Sequence, residues 1–358
     1  MSLNSPKKEN AMKLYLDPKK KYYKANLHCH TRTSDGRAAP ETVKEEYKNR
    51  GYSIVAYTDH EHLFNYSCLC DEDFVALNGV ELGITGPKVD TYGPIPSAKQ
   101  LHINLFAKDP KCDVTPFYSE SRDWYKFDDL RHLVKPGEPI ERSMTHEGIN
   151  ALVARAHELG FLVSLNHPNW SLITAEDYLG YDGFDFIEVH NTGCVRSGHH
   201  TDEAAYNDLM KSGKKIFCIA TDDNHNTGGF EGVRTDSFGG WTMIAADKLG
   251  YSEIMNALES GDFYATTGPE IYSIILDDSG EESIIKVECS PASRAYLITQ
   301  GRRNARFFNE DDSPFTEATF KLYPHDCRFR IRIDDGKGNS AWSQIYDIPK
   351  DVPRVVSK

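Results

Sequence analysis

The 358-residue sequence predicts a barrel-like α/β domain followed by a small β-sandwich-like domain. Between residues 22 and 268 short apolar runs alternate with amphipathic segments, the pattern of a parallel sheet flanked by helices. Beyond Pro269 the texture changes: Arg328, Arg330 and Arg332 alternate with Phe329, Ile331 and Ile333, as in a half-exposed antiparallel strand.

Taken in order, residues 22–27 read as a strand and 40–50 as a helix that opens on Pro40 and is closed by Gly51. Strands follow at 53–58, 74–82 and 101–107. Residues 147–159 place Ile149, Leu152, Val153 and Ala156 on one helical stripe that stops at Gly160. Strands at 161–166, 184–189 and 215–221 are near-continuously apolar, which argues burial on both faces; a helix at 202–211 lies between the last two. A strand at 241–245, a helix at 252–260 and a strand at 263–266 complete the domain. Apolar runs at 271–276, 284–289, 295–299, 318–322 and 340–348, joined by Gly, Asp and Asn turns, make up the β domain. A polar stretch at 109–145 interrupts the large domain and is too long for a bare connector, so it is a candidate cover for the site. Residues 1–21 read as an N-terminal leader.

A formal charge of −13 repels a phosphate backbone and argues against a stable nucleic-acid complex. No run of about 18 apolar residues is present, and MSLNSPKKENAMK lacks the apolar core of a signal peptide, so a cytoplasmic protein without a membrane partner is expected. The eight cysteines show no CxxC pairing and read as reduced; the C-x-C of Cys68 and Cys70 has no second pair beside it to make a thiolate zinc site.

Thirteen of the fourteen histidines precede Asn226, and their placement is informative. In NLHCHTRTSDG, His28 and His30 are two apart after a strand, so both imidazoles point to one face. Asp35 follows on a turn where Gly36 lets a carboxylate fold back toward them. Further ligand types recur at strand carboxyl ends, where active sites of such sheets form: His60 in YTDHE, Glu81 in NGVEL, His102 in LHINLF, His167 in LVSLNHP, and Asp222, Asp223 and His225 in TDDNH. Singly, each is an ordinary solvated or capping residue; together, six segments would aim ligand types into one crevice, a candidate metal site.

These segments, HCHTRTSDG, YTDHE, GVEL, NHPN and TDDNH, resemble the polymerase and histidinol phosphatase (PHP) superfamily over residues 22–226. LHINLF, the run GWTMIAADKLGYSEIMNALESGDFYATTGPEI and RIRIDDGKGNSAWS look like its stand-alone branch with an appended β domain. The resemblance implies a distorted seven-stranded β/α barrel holding up to three metal ions. Carried over residue by residue, it makes His28, His30, Asp35, His60, Glu81, His102, His167 and an Asp-x-His ending the ligands. The family ends in Ser-Asp-x-His, so counting back from His225 selects Asp223, whereas aligning the strand end selects Asp222.

A donor set of imidazoles and carboxylates without thiolates suits zinc, manganese or iron. Water activated by such ions would attack phosphorus, so His28, His30, Asp35, His60, Glu81 and His167 would act through bound metal, and a small anionic phosphoester is the expected substrate. Arg32, His199 and His200, with Arg196 in the same polar loop, are candidates to touch that substrate or are plain surface residues. Glu188 and His190 share a strand face and are candidates to support the ligands. Hydrolysis of a carboxylic ester or carbamate, or a non-catalytic protein binding through its β domain, are the competing readings. Oligomeric state is not legible.

Overall fold

The computed structural model describes residues 12–89, 97–119, 122, 133–350 and 352. The chain divides into two compact units, one of Lys21–Ala265 and one of Met1–Lys20 with Thr266–Lys358. The first strand, β1 (Met12–Leu16), lies in the segment read as a leader and belongs to the second unit.

In the larger unit β2 (Lys21–Asn26), β3 (Ile54–Tyr57) and β4 (Val75–Val89) are parallel. The next strand, β5 (Ser97–Ala107), is antiparallel to β4 and to β6 (Phe161–Leu165). Parallel pairing resumes through β7 (Phe186–Asn191) and β8 (Phe217–Thr221), while β9 (Trp241–Ala246) returns antiparallel on β2 with β10 (Phe263–Thr266) beyond it. The expected parallel sheet is therefore mixed. From β9 to β8 the ladder has eight strands among the described residues, where seven were implied. Its two ends meet through a side chain: Thr242 Oγ1 of β9 accepts from Ala220 N at 3.2 Å and donates to Ala220 O at 3.0 Å.

Reversal of β5 matters for the site. Residues Gly83 and His102 are paired, so the amino-terminal half of β5 lies at the rim reached by the carboxyl ends of its neighbours. An apolar run shows a strand but not its direction, which is why LHINLF was grouped with strand carboxyl ends.

Helices cover the sheet. In α1 (Pro40–Lys48) Val43 and Tyr47 are buried, and α2 (His146–Glu158) is capped by Thr145 Oγ1 accepting from Gly148 N. The buried stripe of α2 is Ile149, Leu152, Val153 and Ala156, as its spacing predicts. Burying each larger member is worth roughly 1.5–3 kcal/mol, more than the tenths separating helix propensities, so packing decides this helix. Short α3 (Ala175–Tyr178) and α4 (Thr192–Arg196), then α5 (Glu203–Lys211) and α6 (Tyr251–Ser260), complete the set. Ala25, Ile54, Ala56 and Leu77 enter one core and Val55, Tyr57, Phe74 and Ala76 another, so these strands are buried on both faces. No helix among the described residues is long and apolar enough to cross a membrane.

The smaller unit is built from β11 (Ile271–Asp277), β12 (Ile284–Ala292), β13 (Arg294–Thr299), β14 (Ala305–Phe307), β15 (Phe315–Lys321), β16 (Arg328–Asp334), β17 (Ser340–Trp342) and β18 (Tyr346–Asp347). One sheet has the order β1-β11-β12-β15; the other is β14-β13-β16-β17 with β18 on β16. Rings join the two sheets, Tyr15 on Phe329 at 5.2 Å and Phe307 on Phe315 at 4.9 Å. Phe329, Ile331 and Ile333 point inward as expected, but Arg330 departs from the half-exposed pattern and is fully buried.

Candidate metal centre

Strand ends set the candidate ligands. His28 and His30 follow β2, and the turn after them is held by Asp59, whose carboxylate accepts from Thr31 N at 2.7 Å, Thr31 Oγ1, Ser34 Oγ at 2.8 Å and Tyr66 OH at 3.0 Å. A Cβ on Gly36 would lie 2.5 Å from His30 O, so glycine is required there for close approach, not for an unusual φ. Asp35 is brought back as expected, with Oδ1 3.4 Å from His225 Nε2 and Oδ2 3.8 Å from His60 Nε2.

Glu81 is the hub. Its Oε1 lies 3.3 Å from His28 Nε2, 3.1 Å from His102 Nδ1 and 3.4 Å from His167 Nε2; its Oε2 lies 3.3 Å from His30 Nε2 and 3.1 Å from His60 Nδ1. Asp223 Oδ1 lies 3.0 Å from His30 Nε2 and 3.2 Å from His28 Nε2. Asp222, by contrast, is turned away and accepts from Tyr47 OH and the backbone N of Phe238, Gly239 and Gly240. Between the two aspartates the structure brings Asp223 to the imidazoles. Three donor groups result, each within 4.8 Å: His28, His30, Glu81 and Asp223; His60, Glu81 and His102; His30, Asp35, His60 and His225. A fourth, His28, His167 and Glu188, joins them.

The donors fit divalent cations better than they fit each other. His28 Nε2 faces His30 Nε2 at 3.1 Å, a contact in which two ring lone pairs converge unless one nitrogen is protonated. His30 Nδ1 and Asp223 Oδ1 are buried without an aligned hydrogen bond among the described residues. Backbone strain gathers here too: Glu61, His167 and Asp223 have φ of 63°, 29° and 52°, a left-handed conformation that costs non-glycine residues roughly 1–3 kcal/mol.

Burial acts to lower the pKa of His28, but Asp223, Glu81 and Glu188 outweigh it and hold the imidazole well above its usual value. For His30 burial is likewise outweighed by Asp223 and Glu81, which push it up to about 10. His60 goes the other way, down to about 3, chiefly through burial. His28, His30, His167 and His225 are all raised, so the metal-free centre holds protons at neutral pH that a cation must displace. Zinc added to metal-free protein is therefore expected to release protons, and apparent affinity to rise with pH towards about 10, where His30 gives up its proton. Calorimetry in buffers of different ionisation enthalpy reads this; uptake with no net release would contradict it.

Glu188 supports the centre directly. Its Oε1 accepts from His28 Nδ1 and Thr221 Oγ1, both at 2.7 Å, and its Oε2 from His167 N and Asn191 Nδ2, both at 2.9 Å. His190 does not share that role: its Nε2 is 3.3 Å from Thr192 Oγ1, burial lowers it to about 4, and it belongs to none of the donor groups. An imidazole two residues along the strand was a fair expectation, but a shifted register between Glu188 and His190 against β8 breaks the shared face.

An open cavity of about 1350 Å³ reaches the donors and is lined by Asp35, His60, Glu81, His102, His167, Asp223 and His225. Arg196 lines it; Arg32, His199 and His200 do not. Arg32 is exposed on the turn whose inward residues are Thr31 and Ser34, and the His199 ring and His200 N are directed at Asn169. Sequence reasoning missed Arg37, Arg122, Arg234 and Trp170, all in the lining. Trp170 packs its ring on His102 at 5.1 Å and His167 at 5.0 Å. Cys68 and Cys70 lie apart from the centre as free thiols.

The polar stretch is tied to this rim where it is described; residues 120–121 and 123–132 lie outside the described residues. Thr115 Oγ1 accepts from Leu63 N, and Arg142, only 4% exposed, donates to both oxygens of Glu61, to Gly83 O and to Phe117 O. Arg142→Ala leaves the buried Glu61 carboxylate, among the described residues, with only Gly83 N at 3.0 Å and Arg122 at 3.8 Å, and is expected to cost about 3 kcal/mol. Denaturant unfolding checks this; a loss under about 1 kcal/mol would mean that Glu61 is not held in this way.

No family model matches the sequence, and no curated protein matches it. Solved structures do. A two-domain protein from Bacteroides vulgatus, described as containing a PHP-like metal-dependent phosphoesterase assigned by prediction, is 14% identical with a TM-score of 0.44, over 96% of this chain and 99% of that one. A provisionally assigned metal-dependent phosphoesterase from Bifidobacterium adolescentis is 20% identical, TM-score 0.35, over 60% and 92%. An amidohydrolase from Chromobacterium violaceum, with bound sulfate and no metal, is 15% identical, TM-score 0.38, over 67% and 96%.

Proposed function

We propose that this chain is a metal-dependent hydrolase of the PHP type that cleaves a small phosphoester. The observation that carries the reading is Glu81 at the meeting point of five imidazoles, with Asp223 and Asp35 completing a buried donor set that opens into the cavity. Residues His28, His30, Glu81 and Asp223 would hold one cation, His60, Glu81 and His102, near His167, another, and Asp35, His60 and His225 a third. Bound there, zinc, manganese or iron would supply Lewis acidity that polarises a phosphoryl oxygen and makes water a nucleophile near neutral pH.

The protein's own groups do the positioning. Glu188 fixes the proton of His28 on Nδ1 and leaves Nε2 facing the centre. Asp59 holds the turn that carries Asp35, and Asp222 fixes the backbone leading into Asp223. Trp170 offers a planar apolar wall for the leaving group, and cavity arginines favour an anion inside an acidic protein.

The test is elemental analysis of protein purified without added metal, followed by turnover of p-nitrophenyl phosphate and a nucleotide panel beside aryl carbamates. The expected result is chelator-sensitive phosphate release that His28→Ala abolishes. Carbamate turnover alone would replace the phosphoester reading with carbonyl hydrolysis, and a fully metallated protein inert toward every ester would end both.

A further inference from the structure

We infer that the substrate carries a second anionic group besides the ester that is cleaved, and that Arg37, Arg196 and Arg234 form the subsite for it. This deepens the phosphoesterase reading and rests on it.

The three arginines come from separate segments and converge on one cavity. Arg37 follows the ligand turn, with its backbone N donating to His225 O at 2.8 Å. Arg196 ends α4 and its guanidinium donates to Thr235 O, which ties that helix to the loop bearing Arg234. The base of the loop is fixed by Asp236, whose carboxylate accepts from His225 N at 2.8 Å and from Asn226 N at 3.0 Å.

All three side chains are exposed, and none has a carboxylate within ion-pair distance among the described residues. Arg50, Arg142 and Arg155 in the same unit each have a glutamate partner. In a chain of formal charge −13, three guanidinium groups without a carboxylate partner on the lining of one cavity give it a local positive field that favours an anion. Asp236 does not fill that role, because its oxygens are engaged by backbone N–H groups.

Placement separates this subsite from the cleaved ester. From His225, 4.3 Å from His30, ring contacts reach Trp170 by two paths, one through His28 at 5.1 Å and His167 at 5.8 Å, the other through His60 at 4.4 Å and His102 at 5.4 Å. The Arg37 backbone and Asp236, at the base of the Arg234 loop, are hydrogen-bonded to the backbone of His225 at one end of these contacts, and Trp170 packs at the other. A substrate with its ester over the centre and its apolar part on Trp170 therefore presents its remaining anion, carboxylate or phosphate, to guanidinium groups suited to bidentate recognition of either.

The experiment compares kcat/KM of the metal-loaded full chain for phenyl phosphate, 4-carboxyphenyl phosphate and 1,4-phenylene bisphosphate. At least one doubly anionic ester is expected to exceed phenyl phosphate by about 10- to 100-fold, and which one does so identifies the second anion. Arg37→Ala, Arg196→Ala and Arg234→Ala should each lower that ratio, with Arg234→Lys restoring part of it. Equal kcat/KM for the three esters, or a ratio that survives in a folded triple alanine variant, overturns the subsite. If none of these three esters turns over, the wider ester and nucleotide panel decides the phosphoesterase reading, and calorimetric binding of the same three compounds decides the subsite alone. Tighter binding of a doubly anionic compound that the triple variant loses supports it, and equal binding ends it.

Discussion

Replacing Glu81 by glutamine is expected to remove at least one bound cation per chain and to cut hydrolysis by roughly 100-fold or more. The carboxylate is 1% exposed and is the group common to His28, His30, His60, His102 and His167. An amide keeps the shape but loses the charge, and its NH₂ meets ring nitrogens that must stay unprotonated to bind metal. The metal-free fold should also lose about 3–5 kcal/mol, because buried imidazolium groups lose their counter-ion. Metal content by elemental analysis and unfolding in denaturant are the two measurements. Full metal content with unaltered turnover would refute the placement of Glu81 at the hub.

Glu188→Gln should produce the second largest effect and a different signature. All four groups around this carboxylate donate to it, from His28 Nδ1, Thr221 Oγ1, His167 N and Asn191 Nδ2. Each oxygen accepts from two of them, and glutamine has one acceptor oxygen, so two of those buried donors meet an NH₂. Loss of such a supporting group lowers metal affinity by roughly 10- to 100-fold. Turnover should recover at saturating metal, since no donor to the centre itself is deleted except where Glu188 reaches His28. Equilibrium dialysis against zinc, paired with kcat at high zinc, distinguishes this from a general loss of structure; unchanged zinc affinity would show that Glu188 merely fills space.

Much of this centre was legible because side-chain period and turn chemistry are local properties. The two-residue spacing of His28 and His30 places both rings on one face in any extended strand, and Glu81, His102 and His167 sit in apolar runs where polar residues stand out. Asp222 and Asp223 were indistinguishable for the opposite reason. Both are adjacent aspartates at a strand end, and only the Phe238 to Gly240 backbone, distant in sequence, claims one of them. Arg37 and Arg234 were missed, and Arg32 preferred, because exposed arginines look alike until the turn and the loop around them are folded.

By itself, then, the sequence determined most of the longer strands and helices, though not β1, α3, α4 or β14, since hydrophobic period and turn chemistry act within a few residues, and it marked nearly every donor of the candidate metal centre. Tertiary structure alone decided the reversed β5 that brings His102 to the rim, the choice of Asp223, and the gathering of arginines at the cavity. Each of those depends on long-range pairing and on a shared electrostatic field, quantities that no window of neighbouring residues contains.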